Sequence, residues 1–477
     1  MDPTLLDPEE HVLSTLERDG SRRWLKPRLS RGRLLALRRA FAYFLIAAYS
    51  LIPYIEVGGQ PLILLDLPAR RFTIFGLTFL PTDTLLLALA MVGLLLGFFL
   101  ATALVGRVWC GWACPQTVYM EFLFRPIERL FEGTRGRGGA PRRAPSFLRV
   151  AGKYAVYLAL AFFLANTFLA YFIGVETLWA WMRASPIDHP VPFLIMALLT
   201  GAMMFHFSYF REQLCILACP YGRLQSVLLD ERSLIVSYDA RRGEPRGKKK
   251  NSRSLPVVDE PRGDCVDCGL CVATCPTGID IRKGLQMECV NCTQCIDACN
   301  AVMDKVKRPR GLIRFSSQRA DQGRADKRVP RPRVIIYPAL LALIAAMFVA
   351  VLMGKTTFDA VLLRNAGHPY TTTQGGDIRN MVRLKLTNRG EVAQRYEVRL
   401  LEPAGVALSV VDETLELPPR ATQTFPISVV AAPKVYIGAR GKLELSLQVT
   451  ADDGDTREVQ CSLLGPETLN RPPSGGV

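Results

Sequence analysis

The chain has 477 residues, a formal net charge of +16 and 13 cysteines. Its length allows several domains. All cysteines except Cys461 lie in short-spaced groups before residue 300, which disfavours a disulfide framework and predicts reduced thiols in a reducing compartment. The segment before residue 40 is polar and basic, without the apolar stretch of a cleavable secretion signal.

Five apolar segments are long enough to cross a bilayer as helices, which takes about 20 residues each. They lie near residues 39–57, 83–105, 153–174, 191–210 and 334–354. The stretch 61–80 is also apolar, but Asp66, Pro68, Arg70 and Arg71 argue against a span, so we expect an interfacial loop there. The sequence therefore predicts a multi-domain membrane protein built on an α-helical bundle of five spans.

The distribution of basic residues predicts the orientation of these spans. Lysine and arginine are dense before the first span, between the second and third, and after the fourth, whereas the loops after the first and third carry only Arg70, Arg71 and Arg183. We expect a multi-pass protein of the bacterial inner membrane with its N-terminus and clustered cysteines in the cytoplasm. The predicted segments are a basic N-terminus (1–38), a four-helix membrane domain (39–221), a cytoplasmic domain (222–333), the fifth span (334–354) and a periplasmic domain (355–477).

The membrane domain contains an internal repeat of a C-x3-C-P motif. The second span leads into Cys110 and Cys114-Pro115, and the fourth leads into Cys215 and Cys219-Pro220. Cysteines four residues apart lie on one face of a helical turn, and the proline disfavours helix at the residue before it. We expect each thiol pair at the cytoplasmic end of a span, and the symmetry of the repeat suggests that the four thiols converge between the halves.

The segment after the fourth span carries two copies of C-x2-C-x2-C-x3-C, the spacing by which bacterial two-cluster ferredoxins hold two 4Fe–4S clusters. In that arrangement the fourth cysteine of each copy binds the other cluster. The predicted ligands are therefore Cys265, Cys268, Cys271 and Cys299 for one cluster, and Cys275, Cys289, Cys292 and Cys295 for the other. A pair of zinc sites is the alternative, but zinc sites are typically built from two C-x2-C hooks with a longer gap between them.

Beyond the fifth span the pattern changes to alternation of apolar and polar residues. Examples are Val382, Leu384 and Leu386, and later Leu443, Leu445, Leu447 and Val449. This alternation, with turn residues at short spacing, predicts an all-β immunoglobulin-like sandwich over 355–477. Cys461 is in phase with Val459, which predicts a single buried thiol.

Two basic runs, Arg241–Arg253 and Lys305–Arg333, flank the dicluster segment. Such runs are also typical of nucleic-acid binding. Here both flank a domain tethered to the cytoplasmic membrane face, where attraction to anionic lipid accounts for them. We therefore expect the lipid membrane, and no nucleic acid, as their partner.

Several features together resemble the CcoG family, also called FixG or RdxA. They are the paired C-x3-C-P motifs, the dicluster, the trailing sandwich and the loop from Gly59 to Leu77, which contains Asp66-Leu67-Pro68-Ala69-Arg70-Arg71. The resemblance implies a bacterial inner-membrane protein that reduces Cu(II) to Cu(I) for assembly of the copper centre of cbb-type cytochrome oxidase. It implies two 4Fe–4S clusters on the eight cysteines named above. It also implies copper handling by Cys110, Cys114, Cys215 and Cys219, and contacts with oxidase assembly factors or subunits.

Two other interpretations stay open at this point. One is a quinol dehydrogenase subunit that feeds a periplasmic reductase, since such proteins share four helices, C-x3-C-P motifs and a dicluster. The other is a non-enzymatic assembly scaffold with structural clusters. The sequence contains neither a dinucleotide-binding G-x-G-x-x-G after a strand nor a C-x-x-C-H haem motif, so we expect an external electron donor. His206 lies in the fourth span, and we expect it to be hydrogen-bonded within the bundle.

Overall fold

The fold is taken from a computed structural model of the whole chain, which divides into two compact units, residues 1–348 and 349–477. The structure describes residues 15, 21–22, 24–68, 70–80, 83–133, 146–247, 263–324, 332–354, 356–364, 368–390, 392–403, 405–410, 415–436 and 441–466. Residues 134–145 of the loop between the second and third spans, the run Lys248–Arg253 and residues 325–331 before the fifth span therefore lie outside the described residues.

Within the described residues, five helices are long and apolar enough to cross a membrane, as predicted. They are Arg33–Tyr54, Thr84–Val105, Phe147–Ile173, Pro190–Phe210 and Pro332–Met353. The chain is therefore a multi-pass membrane protein by the length and composition of its helices. Each helix matches its predicted segment, but the first and the third begin six residues earlier than predicted, at Arg33 and Phe147.

The early start of the first span has a partner outside the membrane domain. The carboxylate of Asp297 accepts hydrogen bonds from the backbone N–H groups of Leu34 (3.4 Å) and Leu35 (2.8 Å), which the first turn of a helix leaves free. Asp297, which is 262 positions from Leu35 in the chain, thus caps this helix. A cap from so distant a residue cannot be recognised in the local sequence. Pro53 lies in the 3-10 turn Ile52–Tyr54 that ends the span.

The stretch 61–80 is not among the described helices that could span a membrane, and the loop expected there contains a small antiparallel sheet. Its strands are Ile63–Asp66, Arg71–Ile74 and Leu77–Phe79, next to a short pair formed by Glu56–Val57 and Gln60–Pro61. The two residues between the second and third strands, Phe75 and Gly76, both have positive φ (+52° and +78°). That geometry matches the right-handed twist of a two-residue hairpin, so the turn brings the flanking strands together.

The membrane bundle has an aromatic core close to the C-x3-C-P motifs. Phe124 and Phe207 are stacked with ring centroids 4.4 Å apart, and Tyr157 packs edge-on against Phe124 at 5.0 Å. The helix Val175–Arg183 connects the third span to the fourth. Shorter helices and π-helical turns follow the second and fourth spans at the end of the bundle that carries the C-x3-C-P motifs: Val108–Trp112, Pro115–Tyr119, Met120–Phe124, Arg125–Glu132, Leu214–Ala218 and Pro220–Leu228. Such π-helical turns are frequent at functional sites.

The dicluster domain is closed by a strand pair. Ile235–Tyr238 pairs antiparallel with Ile313–Ser316, so residues before and after the eight cysteines meet. Its described helices are Ala240–Gly243, Leu270–Ala273, Ile281–Lys283, Gln294–Lys305 and Gln318–Asp321. A small core lies beside the thiols and includes Val236, Ile296, Met303 and Leu312.

The second unit contains a sandwich of two antiparallel sheets. The first sheet has the order Val406–Val410, Thr422–Ala431, Ile378–Asn388, Phe358–Arg364, and Thr371–Thr372 pairs with the start of Ile378–Asn388. The second has the order Leu415–Leu417, Gln394–Glu402, Lys442–Ala451, Thr456–Leu464. This confirms the all-β immunoglobulin-like domain predicted from the alternation of residues.

The inward residues of both sheets form one core. Leu384, Leu386, Leu445, Leu447 and Val449 are each completely buried in it. Cys461 packs against this core but remains partly exposed, and its thiol lies 3.7 Å from the carbonyl oxygen of Ser462. The expectation of a fully buried thiol was therefore too strong, because Cys461 lies on an edge strand of its sheet.

Candidate cluster and thiol sites

The eight cysteines of the dicluster domain surround two cavities. One, of about 340 Å³, is lined by Cys275, Cys289, Cys292 and Cys295, with Cys271 at its border. The other, of about 360 Å³, is lined by the four cysteines Cys265, Cys268, Cys271 and Cys299. We call the first the bundle-side cavity, because its loop contacts the membrane bundle, and the second the distal cavity. The structure thus brings together the two sets of thiols grouped from the sequence.

Matching backbone turns shape the two cysteine loops. Asp267 and Gly269 in the first loop, and Asn291 and Thr293 in the second, all have positive φ, between +48° and +66°. Glycine adopts this conformation freely, whereas a β-branched residue such as Thr293 is strained there. The repeated left-handed turns curl each loop so that its thiols line one cavity.

Helices that follow the loops carry the exchanged cysteines. Cys299 lies on the helix Gln294–Lys305, which begins in the second loop and ends beside the distal cavity. Cys275 follows the helix Leu270–Ala273 of the first loop and lines the bundle-side cavity. This geometry explains why the fourth cysteine of each motif belongs with the three thiols of the other motif.

The chemistry of both cavities fits a 4Fe–4S cluster. Each offers four thiols in largely apolar surroundings, and burial raises the pKa of Cys271 and Cys289 to about 11 and of Cys299 to about 12. Among the described residues, no three His, Cys, Asp or Glu side chains are close enough together to hold a single metal ion. Four thiols line each cavity, in the spacing of a two-cluster ferredoxin, and this arrangement suits a cluster.

The first C-x3-C-P motif lies after a break in the second span. The span ends at Val105, Gly106 has φ +61°, and Cys110 lies in the short helix Val108–Trp112. Cys114 has extended backbone and precedes a helix that begins at Pro115. The prediction that the two thiols share one helical turn was therefore wrong. Cys114 lies outside the helix because it precedes a proline, which disfavours helical backbone at that position.

The second motif repeats this local design. A π-helical turn ends the fourth span at Phe210, Arg211 has φ +48°, and Cys215 lies in the π-helical turn Leu214–Ala218. Cys219 is extended and precedes the helix that begins at Pro220. In each half, a residue with positive φ breaks the span, and a proline starts a new helix directly after the second thiol.

The four thiols of the two motifs lie close enough to influence one another, and we call them the thiol quartet. Burial, with smaller contributions from the neighbouring thiols Cys114 and Cys219, raises the pKa of Cys110 to about 12. Burial likewise raises the pKa of Cys215 to about 12, with contributions from Cys114, Cys110 and Cys219. The repeat therefore brings both pairs together, although no three of these thiols converge on one point among the described residues.

Gln225 connects the quartet to the break in the second span. Its side chain is completely buried, its Oε1 lies 3.3 Å from the Cys110 thiol, and its Nε2 donates to the Gly106 carbonyl at 3.3 Å. Arg107 contacts the bundle-side loop, since its guanidinium donates to the carbonyls of Met287 and, at 3.4 Å, Cys289. The same guanidinium donates to the Gly222 carbonyl after the second motif at 3.1 Å.

A layer of buried ion pairs lies beside the quartet, and the sequence analysis missed it. Arg211 binds Glu128 through two hydrogen bonds of 2.9 and 3.2 Å, and Arg125 pairs with Glu121 and, at 3.5 Å, with Glu212. Burial favours neutral Glu121, but the charges of Arg125, Arg38, Arg129 and Arg211 together outweigh it and lower the pKa of that carboxyl. The available signal was the recurrence of arginine and glutamate immediately after apolar spans.

His206 is hydrogen-bonded within the bundle, as expected. Its Nε2 contacts Oε1 of Gln116, whose Nε2 donates to the Arg211 carbonyl at 2.6 Å. This chain of contacts links the end of the fourth span to the helix that follows the first motif. It gives His206 a structural partner in the opposite half of the repeat.

Three parts of the chain match known protein families. Residues 210–318 match a family described as a 4Fe-4S dicluster domain, and residues 87–135 match a 4Fe-4S binding domain. Residues 348–466 match the IG-like fold at the C-terminal of FixG, whose description presents FixG as a candidate oxidoreductase. In 87–135 the cysteines are Cys110 and Cys114.

Relatives match over most of the chain. Protein RdxB of Cereibacter sphaeroides is 36% identical over 86% of this chain and 88% of its own length. Protein RdxA of the same organism is 33% identical over 86% and 89%, and nitrogen fixation protein FixG of Rhizobium meliloti is 31% identical over 77% of each chain. A crystal structure of a FixG-related protein from Vibrio parahaemolyticus is 17% identical and covers 23% of this chain and 97% of its own, with a TM-score of 0.21.

The extent of these matches decides the family. Proteins RdxB and RdxA each match 86% of this chain, protein FixG matches 77% of it, and all three are more than 30% identical to it. The chain belongs to the FixG/RdxA family and is a multi-pass iron–sulfur protein of electron transport.

Proposed function

We propose that this chain is a cupric reductase. It reduces Cu(II) to Cu(I) at the thiol quartet Cys110, Cys114, Cys215 and Cys219, with electrons that pass through the two cluster sites. The observation that carries the proposal is the position of four extra thiols beside a domain whose other eight thiols already account for two clusters. The family resemblance supplies the copper substrate, and the Cu(I) is destined for the copper centre of a cbb-type cytochrome oxidase.

The donor set of the quartet suits this reaction. Thiolates are soft ligands that favour Cu(I) over Cu(II), so they stabilise the product of a one-electron reduction. Each bound cluster supplies or accepts one electron. Because burial raises the pKa of Cys110 and Cys215 to about 12, copper binding must release protons from these two thiols. Pairs of thiols suit Cu(I), which accepts two ligands, and the spread of the four thiols is compatible with two such pairs.

We place the quartet and the dicluster in the cytoplasm and the sandwich in the periplasm. The asymmetry of basic residues across the spans supports this orientation. The electron donor is then a cytoplasmic or membrane reductant outside this chain, and the sandwich is available to oxidase subunits or assembly factors. A reporter fused after Val477 tests the orientation, because a reporter that is active only in the cytoplasm contradicts it.

Paired serine variants test the copper site. Cys110→Ser with Cys114→Ser, or Cys215→Ser with Cys219→Ser, should weaken Cu(I) binding and slow anaerobic copper reduction while the iron content stays at about eight per chain. Cys461→Ser is the matched control, since that thiol lies in the sandwich and should leave both properties unchanged. Full copper binding and reduction in a variant that lacks both pairs would place the site elsewhere.

A second function for the quartet is favoured by one observation. Residues 87–135 match a 4Fe-4S binding domain although Cys110 and Cys114 are the cysteines there, so the two pairs together offer the four thiolates of a third cluster. Iron analysis separates the two functions. A third cluster raises the iron content to about twelve per chain, and loss of either pair then lowers it by about four.

A further inference from the structure

The first C-x3-C-P motif contacts the backbone of the bundle-side loop directly at Gly111. A Cβ atom on residue 111 would lie 2.9 Å from the Cys292 nitrogen and 3.0 Å from the Asn291 carbonyl carbon, with the Val290 carbonyl oxygen closer still. Real Cβ atoms essentially never approach backbone atoms so closely, so position 111 requires glycine. No side chain therefore separates the quartet's own helix from the loop that carries Cys289 and Cys292.

Arg38 from the first span holds the other side of this contact. Its side chain is 1% exposed, its Nε donates to the Gly111 carbonyl at 2.6 Å, and its guanidinium lies 5.1 Å from the Phe122 ring centre. One terminal nitrogen has no hydrogen-bond partner among the residues that the structure describes. A buried cation with an unused donor is costly unless an anionic group lies nearby.

The Gly111 carbonyl places Arg38 beside the bundle-side loop. Gly111, which accepts the hydrogen bond from Arg38, packs against the backbone of Val290, Asn291 and Cys292, and Cys292 is a thiol of the bundle-side cavity. A cluster bound there carries net negative charge and gains one more on reduction, so the bundle-side site is the group that the free donor of Arg38 can compensate.

The distal cavity has different surroundings. Its loop Cys265–Cys271 packs on the dicluster domain itself, where the Cys265 N–H donates to the Gly243 carbonyl. Asp267 in this loop is exposed and pairs with Arg282, which lines the cavity. An exposed acidic loop with an arginine beside it is open to a partner from solution, whereas the bundle-side loop is covered by the membrane domain.

We propose that the bundle-side site exchanges electrons with the thiol quartet through the close contact at Gly111. Arg38 is a positioning residue that sets the potential of this site. The distal site accepts electrons from the external donor. This inference rests on the proposed function for the copper step. In that step one electron leaves the bundle-side site, Cu(II) at the thiols becomes Cu(I), and no proton is transferred between the two sites.

The test is a redox titration of the clusters followed by electron paramagnetic resonance. Arg38→Gln should lower the potential of one cluster and leave the other unchanged. In Cys299→Ala, which retains the bundle-side ligand set, the shift should persist, and in Cys275→Ala it should vanish. Arg38→Lys should restore much of the original potential, which a purely structural role would not explain. The exposed Arg39→Gln is the matched control for the change in net charge.

A kinetic measurement tests the contact itself. Gly111→Ala should slow the oxidation of dithionite-reduced protein by Cu(II), because the added Cβ separates the two backbones, whereas Gly97→Ala, with open space at its Cβ, should not. No potential shift in Arg38→Gln, or a shift confined to the distal cluster, overturns the inference, as does an unchanged rate in Gly111→Ala. If the quartet variants still reduce copper fully, the proposed function fails, while the Arg38 titration still decides which site this residue controls.

Discussion

The two cluster cavities are built from the same motif but differ in what lies against them. Both loops use left-handed residues at equivalent positions, Asp267 and Gly269 in one and Asn291 and Thr293 in the other. Asp267 is exposed, whereas Asn291 is buried and contacts the backbone of Val236 and Leu234. The comparison teaches that ligand spacing fixes how a cluster is held, while the neighbours of each loop determine its place in an electron path.

The largest effect should come from removing one exchanged ligand at a time. Cys275→Ala should abolish the bundle-side cluster and with it copper reduction by dithionite-reduced protein, because the quartet loses its adjacent electron source. Cys299→Ala should abolish the distal cluster and leave copper reduction by the remaining one. Each variant should retain about four iron atoms per chain.

Iron analysis and electron paramagnetic resonance of the two variants provide the measurement. If Cys299→Ala stops copper reduction while Cys275→Ala does not, the order of the two sites is reversed. If both variants lose the same cluster, the exchanged ligation is wrong.

The next effect concerns the attachment of the bundle-side cavity to the bundle. Arg125 pairs with Glu121 and Glu212 and donates to the carbonyl of Pro276, next to the ligand Cys275, at 3.2 Å. Arg125→Met removes the ion-pair partner of the buried Glu121, while Glu212 keeps Arg22 and Arg211. An unpaired buried carboxylate should cost about 3–5 kcal/mol of stability. We expect a lower melting temperature and faster oxidative loss of the bundle-side cluster than of the distal one.

The exposed Arg149→Met is the control for Arg125→Met. Cluster absorbance followed during thermal unfolding in detergent reports both properties. Equal rates of loss for the two clusters would show that this ion-pair layer does not distinguish the cavities.

The thiol quartet should bind copper in a pH-dependent way. Burial raises the pKa of Cys110 and Cys215 to about 12, so both thiols are protonated at neutral pH and Cu(I) must displace their protons. At any pH below about 12, a rise in pH therefore strengthens Cu(I) binding, by about tenfold per pH unit for each displaced proton. This pH dependence can be measured by competition for Cu(I) with a chelator of known affinity, while an indicator records the proton release. Binding that is independent of pH and releases no protons would contradict buried thiol ligands.

The smallest effect should be the loss of stability when the helix cap from Asp297 is removed. Asp297 lies between Cys295 and Cys299 on one helix and caps the first span through Leu34 and Leu35. Asp297→Ala should cost about 1 kcal/mol, and Asp297→Asn, which retains an acceptor oxygen, should cost less. Thermal unfolding of the two variants provides the comparison. Equal losses in both would mean that the cap is not the source of the effect.

Regular patterns in the sequence predicted most of the fold. Apolar runs predicted the five spans, alternation of residues predicted the sandwich, and cysteine spacing predicted which thiols line each cavity. The three-stranded sheet over 63–79 was missed because its strands are very short and its turn depends on positive φ at Phe75 and Gly76. The contacts of Arg38, Arg107 and Gly111 were also beyond reach, since each joins segments far apart in the chain and follows no local period.

The most direct test of the account is anaerobic mixing of dithionite-reduced protein, freed of excess reductant, with Cu(II). Rapid freezing and electron paramagnetic resonance then follow the reduced clusters and Cu(II) together. The account predicts that both signals disappear in step, one copper per cluster electron, that the bundle-side cluster is oxidised first, and that replacing the quartet by serine preserves the reduced clusters. Loss of the Cu(II) signal while both clusters stay reduced, or an unchanged reaction without the quartet, would contradict it.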